Sequence, residues 1–240
     1  MSSVIFDGHD LGELFVCGDP NITVFAHKLK TDEADNRNGS AVLGRTWGNG
    51  NVTFSIGMRG SSHERRDRLS TLAAWLDVDT EKPLVLPDTP ERYYMAMPDG
   101  DITPDRYIDG EIAQLTFTLV DPIASGRERT VTVPSGGSVE FTVGGTAPTK
   151  PRITASAVRN ATSQVWGIRL DEGDFVHVAT GAAAARAVEI DCGARALVIV
   201  DAVSVPTLDS DWLVLKPGKH TLRMDNGTGA ATVTFRERWY

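Results

Sequence analysis

Two pairs of closely spaced aspartates come nearest to a catalytic or ion-binding arrangement in this sequence. They are Asp99 with Asp101 and Asp209 with Asp211, each pair separated by one small residue. Paired carboxylates serve glycosidases as acid and base, but they must face each other across a cleft at a fixed separation, which neighbouring positions do not establish. A calcium loop needs further acids at alternate positions and a final bidentate glutamate, which both places lack. We therefore interpret both pairs as turn aspartates.

Histidine, cysteine and glycine patterns predict neither a metal site nor a nucleophile. The five histidines have no H-x-x-x-H or H-E-x-x-H spacing. Cys17 and Cys192 are far apart in the sequence, so we expect buried free thiols rather than zinc ligands or a disulfide. No G-x-S-x-G elbow occurs, and the glycines at 48 and 50 lack the Lys-Ser/Thr of a phosphate loop. The sequence predicts no enzyme, no cofactor and no metal.

The charge balance is acidic. The 240 residues include 24 basic and 32 acidic side chains, a formal net charge of −8. Nonspecific affinity for nucleic acid comes from neutralising phosphates, so no stable DNA binding is expected, although an acidic wall would let DNA pass along a conduit without adhering. The N-terminus lacks a continuous apolar run, and no window approaches the roughly 18 apolar residues of a membrane span. We expect a soluble protein made in a cytoplasm, with no membrane partner.

Three tryptophans in the second half are candidates for carbohydrate binding. Trp166, Trp212 and Trp239 could stack on a sugar face, with Asp209 and Asp211 accepting hydrogen bonds from its hydroxyls. Each tryptophan also stands among alternating apolar residues, where packing in a core explains it. Trp166, Asp211 and Trp212 are kept as candidate carbohydrate contacts, with core packing as the alternative.

The first half shows short strands around one helix. The helix is predicted at 61–76, because Ser61-x-x-Glu64 is a capping box and one apolar face follows at Leu69, Leu72, Ala73 and Leu76. Residues 31–40 are predicted to form a loop or a hairpin tip. Prolines should place a strand at 92–97 at an edge or interrupt it, and Asp121-Pro122 should end the last strand. Strands are predicted at 4–6, 11–16, 22–29, 51–59, 83–86 and 113–120.

The second half is a series of short strands separated by glycines and prolines, as in an antiparallel sandwich. Pro217-Gly218 is predicted to make a hairpin turn, and the alanines at 182–185 are too few to hold a helix and are expected in a loop. Strands are predicted at 129–133, 138–143, 152–158, 165–170, 175–179, 187–191, 196–200, 211–215, 220–224 and 230–235.

Ordered motifs in both halves resemble the siphophage distal tail protein family. The first half has the segment GRTWGNG at 44–50, Trp75-Leu76 at the helix end, P-x-R-Y-Y at 90–94 and a strand before Asp121-Pro122. The second half has VEIDC at 188–192, LKPGKHTL at 215–222 and TVTFRERW at 232–239. His220 stands where the family often has Asn, and Phe235 where Tyr is common.

The resemblance implies a mainly β fold in two domains. Residues 1–129 would form an N-terminal β-domain, a sandwich or split barrel with one α-helix, and residues 130–240 a galectin-like antiparallel β-sandwich. It also implies a structural protein of the virion tail tip: a homo-oligomer, expected to be a hexameric ring, through which DNA passes. Its partners would be the tail tube protein and a tail-associated lysin, tail fibre or receptor-binding protein.

The segments 31–50 and 61–76 are the expected subunit contacts, with Arg45, Trp47, Arg65, Arg66 and Arg68 as candidate residues. The alternative for Arg65, Arg66 and Arg68 is a solvated helix face with no subunit contact, because charges at the start of a helix often only face water. The alternative function is a carbohydrate-binding module or adhesin that recognises the host cell surface.

Overall fold

The structure, a computed structural model, describes residues 3–23, 27–33, 38–107, 110–158, 165–179, 186–199, 207 and 210–240. Strands dominate it, which confirms the predicted mainly β class. The chain divides into two units, residues 1–125 with Tyr240 and residues 126–239. The boundary expected at 129/130 falls inside a long strand, Gly110–Val133, which begins in the first unit and ends in the second.

The elements of the first unit fall into one large sheet and one separate hairpin. The bounds are β1 Ile5–Phe6, β2 His9–Asp10, a 3₁₀ turn Leu11–Glu13, β3 Val16–Cys17, β4 Asn21–Ile22, β5 His27–Glu33, β6 Ser40–Trp47, β7 Gly50–Met58, α1 Ser62–Leu76, β8 Lys82–Val85, β9 Tyr93–Asp99, β10 Asp105–Tyr107 and β11 Gly110–Val133. In the large sheet β11 pairs with β7, β9 and β10, and β7 also pairs with β3 and β4. The sheet continues from β9 through β8 and β1 to β2, whereas β5 pairs with β6 alone.

The core of the first unit lies on one face of β7 and β11. Both strands alternate buried and more exposed side chains, as their period-two patterns predict. Their ladder is regular from Glu111↔Met58 to Leu119↔Gly50. Phe117 of β11 is fully buried, with ring centroids 4.8 Å from Phe6 and 6.1 Å from Phe54.

The helix α1 begins where the capping box predicts. The Ser61 hydroxyl accepts a hydrogen bond from the Glu64 amide at 3.3 Å, and the Ser61 amide donates to Glu64 Oε2 at 2.7 Å. Leu72 is fully buried against the core, Leu69 packs beside it, and Ala73 is exposed. The helix therefore buries a narrower apolar stripe than the sequence predicted.

Three predictions in the first unit are wrong, and the first two concern residues 11–16 and 92–97. Residues 11–16 do not form one strand, because the Asp10 side chain accepts a hydrogen bond from the Gly12 amide and caps a 3₁₀ turn instead. The strand predicted at 92–97 is not at an edge, because β9 pairs with both β8 and β11. Pro98 is tolerated because it lies beyond the last pair with β8, Lys82↔Ala96, where no β8 carbonyl needs its missing N–H.

Asp121-Pro122 does not end its strand, contrary to prediction. The β9–β11 ladder shifts register on both sides of Asp121, so Pro122 occupies an irregularity in which its missing N–H interrupts no regular pair. Asp121 Oδ1 accepts a hydrogen bond from the Ile123 amide at 3.1 Å. The strand continues to Val133.

The second unit is a two-sheet antiparallel sandwich. The bounds are β12 Ser138–Val143, β13 Arg152–Val158, β14 Val165–Leu170, β15 Phe175–Ala179, β16 Arg186–Asp191, β17 Ala196–Ile199, β18 Gly218–Asn226 and β19 Ala231–Trp239. One sheet has the order β17-β16-β13-β19, next to the end of β11, and the other has the order β12-β18-β14-β15. Side chains from both sheets form one core around Trp166, Ile153 and Val233.

The strand predicted at 211–215 is absent, because only Leu215 pairs there, in a single bridge with Thr149. Pro217-Gly218 is therefore not a hairpin turn; Gly218 begins β18 opposite Val143. The alanines at 182–185 and Asp209 lie outside the described residues. Both cysteines are free, Cys192 buried and Cys17 half-buried. Within the described ranges no helix is long and apolar enough to cross a membrane.

Candidate assembly surface

The β5–β6 hairpin has one polar face and one face, here called the apolar face, that carries Leu29, Val42 and Trp47 among polar side chains. Residues directly opposite each other in an antiparallel pair share a face, and alternate residues point to opposite faces. The polar face carries Lys28, Lys30 and Asp32. The other face carries the cross-strand pairs His27↔Trp47, Leu29↔Arg45, Thr31↔Val42 and Glu33↔Ser40.

The apolar face of this hairpin is uncovered. Leu29 is 62% exposed, Val42 65% and Trp47 39%. Isolated two-stranded hairpins are marginally stable in water, and adjacent exposed apolar side chains mark interaction surfaces. The described part of the chain supplies no further strand to this pair. The hairpin is therefore a surface that gains stability when another surface covers it.

Two of the predicted contact residues lie on this face. Arg45 is exposed opposite Leu29. Trp47 lies at the base of the hairpin, where its ring centroid is 4.1 Å from His27 and 5.3 Å from Tyr240, on which it stacks. The base is anchored by aromatic contacts, while Leu29 and Val42 extend the apolar face away from it.

A groove with apolar walls lies at the other end of β7. Its cavity is about 470 Å³, and its walls include Val16, Tyr107 and Ile112, which are 70%, 63% and 46% exposed. A Cβ at Gly110 would collide with the Met58 carbonyl oxygen, so glycine allows the close approach of β11 to β7 here.

A nearly buried ion pair supports the wall of the groove. Glu111, 8% exposed, has its Oε1 3.3 Å from Arg65 Nε and 3.4 Å from Arg106 Nε. Arg65 also donates to the Gly60 carbonyl, and Arg68 donates to the Arg59 carbonyl at 3.3 Å.

The three helix arginines therefore lie in different environments. Arg65 is mostly buried against Glu111, Arg68 is half-buried, and Arg66 is exposed. Sequence reasoning missed Glu111 because the strand was predicted to begin at Ala113; the observed strand begins at Gly110, and its alternation places Glu111 on the buried face.

The candidate carbohydrate residues do not converge on a surface. Trp166 is 0% exposed in the core of the second unit, so it presents no face to a sugar. Trp212 is partly buried against the same core. Asp211 is exposed, and its amide donates to the Phe175 carbonyl at 2.7 Å.

Sequence reasoning also missed a polar network on β14, β15 and β18. Arg169 donates two hydrogen bonds to Asp225, at 3.1 and 2.8 Å, and His177 Nε2 lies 2.6 Å from the same carboxylate. The bonds from Arg169, with a smaller contribution from His177, hold the pKa of Asp225 below its usual value. These residues come from three strands, so no local spacing could have revealed them.

A second carboxylate in this unit is also tied to a histidine. His220 Nδ1 lies 2.8 Å from Asp171 Oδ2, and its Nε2 lies 2.7 Å from the Lys216 carbonyl. Burial alone would raise the pKa of Asp171, but hydrogen bonds from His220 and the Thr221 amide bring it below its usual value. Among the described residues, no group of three or more His, Cys, Asp or Glu side chains is placed to hold a metal ion.

Family models of known proteins match one segment in each of the two units. Residues 10–120 match the phage tail protein RIFT-related domain, and residues 144–239 match the C-terminal domain of the siphovirus-type tail component. The chain belongs to the siphophage distal tail protein family. As a family member it is a distal component of the phage tail and is located in the virion.

One relative, compared by sequence and by structure, shows the extent of the likeness. The distal tail protein of Bacillus phage SPP1 is 28% identical over 187 residues, which cover 75% of this chain and 72% of that protein. The crystal structure of the SPP1 protein, described as a paradigm of the hub of the adsorption apparatus in phages that infect Gram-positive bacteria, covers 100% of both chains with a TM-score of 0.82 at 21% identity. This structural likeness confirms the fold.

Proposed function

We propose that this chain forms a hexameric ring at the end of the phage tail tube. The observation that carries the proposal is the uncovered apolar face of the β5–β6 hairpin, with Leu29 and Val42 exposed. A ring needs head-to-tail contacts between different surfaces of identical subunits. The hairpin supplies one such surface, and Arg45 and Trp47 on the same face take part in the contact.

The ring joins the tail tube protein on one side to a tail-associated lysin, tail fibre or receptor-binding protein on the other. DNA passes through its central opening, and the net charge of −8 is consistent with a wall that does not retain phosphates. The chain acts by assembly rather than by catalysis and needs no cofactor. Residues 1–129 form the ring, and residues 130–240 form the sandwich domain.

Light scattering of the full chain at increasing concentration tests the ring. The expected result is a species of six times the 25.9 kDa chain mass, which negative-stain images should show as a ring with a central opening. A species that remains monomeric up to the highest concentration reached, together with tail tips that show no six-fold ring, would reject the proposal.

A further inference from the structure

The hairpin and the groove occupy opposite ends of the same strand. The hairpin ends at Trp47, just before β7 begins at Gly50, whereas the groove is lined by Gly57 and Met58 at the end of β7. Eight steps of about 3.3 Å separate the two ends by roughly 26 Å. The first unit thus carries two different uncovered surfaces at opposite ends, the arrangement that a head-to-tail contact requires.

The two surfaces match in polarity. The groove exposes Val16, Tyr107 and Ile112, and the hairpin exposes Leu29 and Val42 on one face. The groove encloses a cavity of about 470 Å³. Bringing the two surfaces together removes both sets of apolar side chains from water, which favours the contact.

The charges also match. Arg59 lies exposed in the lining of the groove, and Glu111, the acid among the described lining residues, pairs with Arg65 and Arg106. Arg59 thus places a positive charge at the groove in a chain whose net charge is −8. On the hairpin, Glu33 is the acid of the apolar face and lies at its far end from Trp47. Rim charges of this kind fix orientation more than they add affinity.

We propose that the groove formed by Val16, Tyr107 and Ile112 is the acceptor for the β5–β6 hairpin of a second copy of this chain. Leu29 and Val42 lie in the groove, and Glu33 faces Arg59. This inference rests on the proposed ring and adds to it the surface that receives the hairpin.

Photo-crosslinking of the full chain tests the acceptor directly. A benzophenone amino acid replaces Val42, and isotopically light and heavy chains are mixed so that links between copies are recognised by mass. The expected products are mixed light–heavy links from position 42 to peptides that contain Val16 or residues 105–112. Ile112→Asp should lower their yield at least tenfold, whereas Val120→Asp, at a similarly exposed apolar position of β11, should leave it unchanged.

A charge exchange gives a second readout. Arg59→Glu should lower the crosslink yield several-fold, and adding Glu33→Arg in the same chain should restore it. Rings that form normally while position 42 links to another surface would overturn the groove assignment and leave the ring intact. A protein that stays monomeric and gives no link between copies would overturn both.

Discussion

Glu111 Oε1 lies 3.3 Å from Arg65 Nε, and both side chains are largely shielded from solvent behind the wall of the groove. The pair joins the first turn of α1 to the start of β11. Because Glu111 pairs with the Arg65 guanidinium, it holds the helix start against the strands that line the groove.

Glu111→Gln should lower the free energy of unfolding by about 1–3 kcal/mol, because Arg65 would keep a nearly buried charge without its counter-ion. Urea titration followed by circular dichroism measures the change. Glu91→Gln is the matched control, since Glu91 pairs with Arg92 at 3.1 Å but is half exposed, and exposed pairs contribute about 0–1 kcal/mol. Equal losses in the two variants would show that Arg65 does not depend on Glu111.

The capping box makes a separate prediction for α1. Ser61→Ala should cost about 1 kcal/mol of stability, because the Glu64 amide loses its acceptor. Ser61→Thr, which keeps a hydroxyl, should retain most of that stability. If the alanine and threonine variants unfold at the same urea concentration, the hydroxyl does not stabilise the helix start.

The Asp225 network predicts an acid-dependent contribution to stability. Its pKa is lowered in the folded protein by Arg169 and His177, so the contribution is fully present above the unfolded value of about 3.9 and disappears as pH falls through the lower folded value. Wild type should therefore exceed Asp225→Asn in thermal stability at neutral pH, and the difference should shrink below about pH 4. Arg169→Gln should weaken this pH dependence. A difference between wild type and Asp225→Asn that does not change with pH would contradict the assignment.

Cysteine reactivity tests the core of the second unit. Burial raises the pKa of Cys192 to about 11, so little thiolate forms at pH 8 and the sulfur is shielded from reagent. Native protein treated with iodoacetamide should remain unmodified at Cys192, whereas both cysteines should react in denaturant. Peptide mass spectrometry reads the two sites separately. Modification of Cys192 in the native protein as fast as in denaturant would contradict its burial.

Period-two alternation predicted the best-defined strands, because a strand that buries one face has apolar side chains at every second position. β7 and β13 follow that pattern closely, and the Ser61 capping box located the helix start within one residue. Local rules failed where a distant partner decides the outcome. The strand β11 continues through Pro122 because the β9–β11 ladder is irregular there.

The candidate surface was predicted only in part. Arg45 and Trp47 were selected from a motif, and the cross-strand register explains why they share the apolar face of one hairpin. The groove could not be predicted, because Val16, Tyr107 and Ile112 come from separate segments that only the folded sheet brings together. The role of Trp166, core packing or sugar contact, was also open from the sequence, because the sequence of one strand does not show which of its faces the other sheet covers.

The most direct test of the assembly account is the mass of the protein in solution when the hairpin face is made polar. Sedimentation equilibrium of Val42→Asp should give a monomer at concentrations where wild type and Val120→Asp form six-subunit species. Val42 and Val120 are both exposed, so neither substitution disturbs the core. A Val42→Asp protein that assembles as fully as wild type would contradict the claim that the apolar face of the hairpin closes the ring.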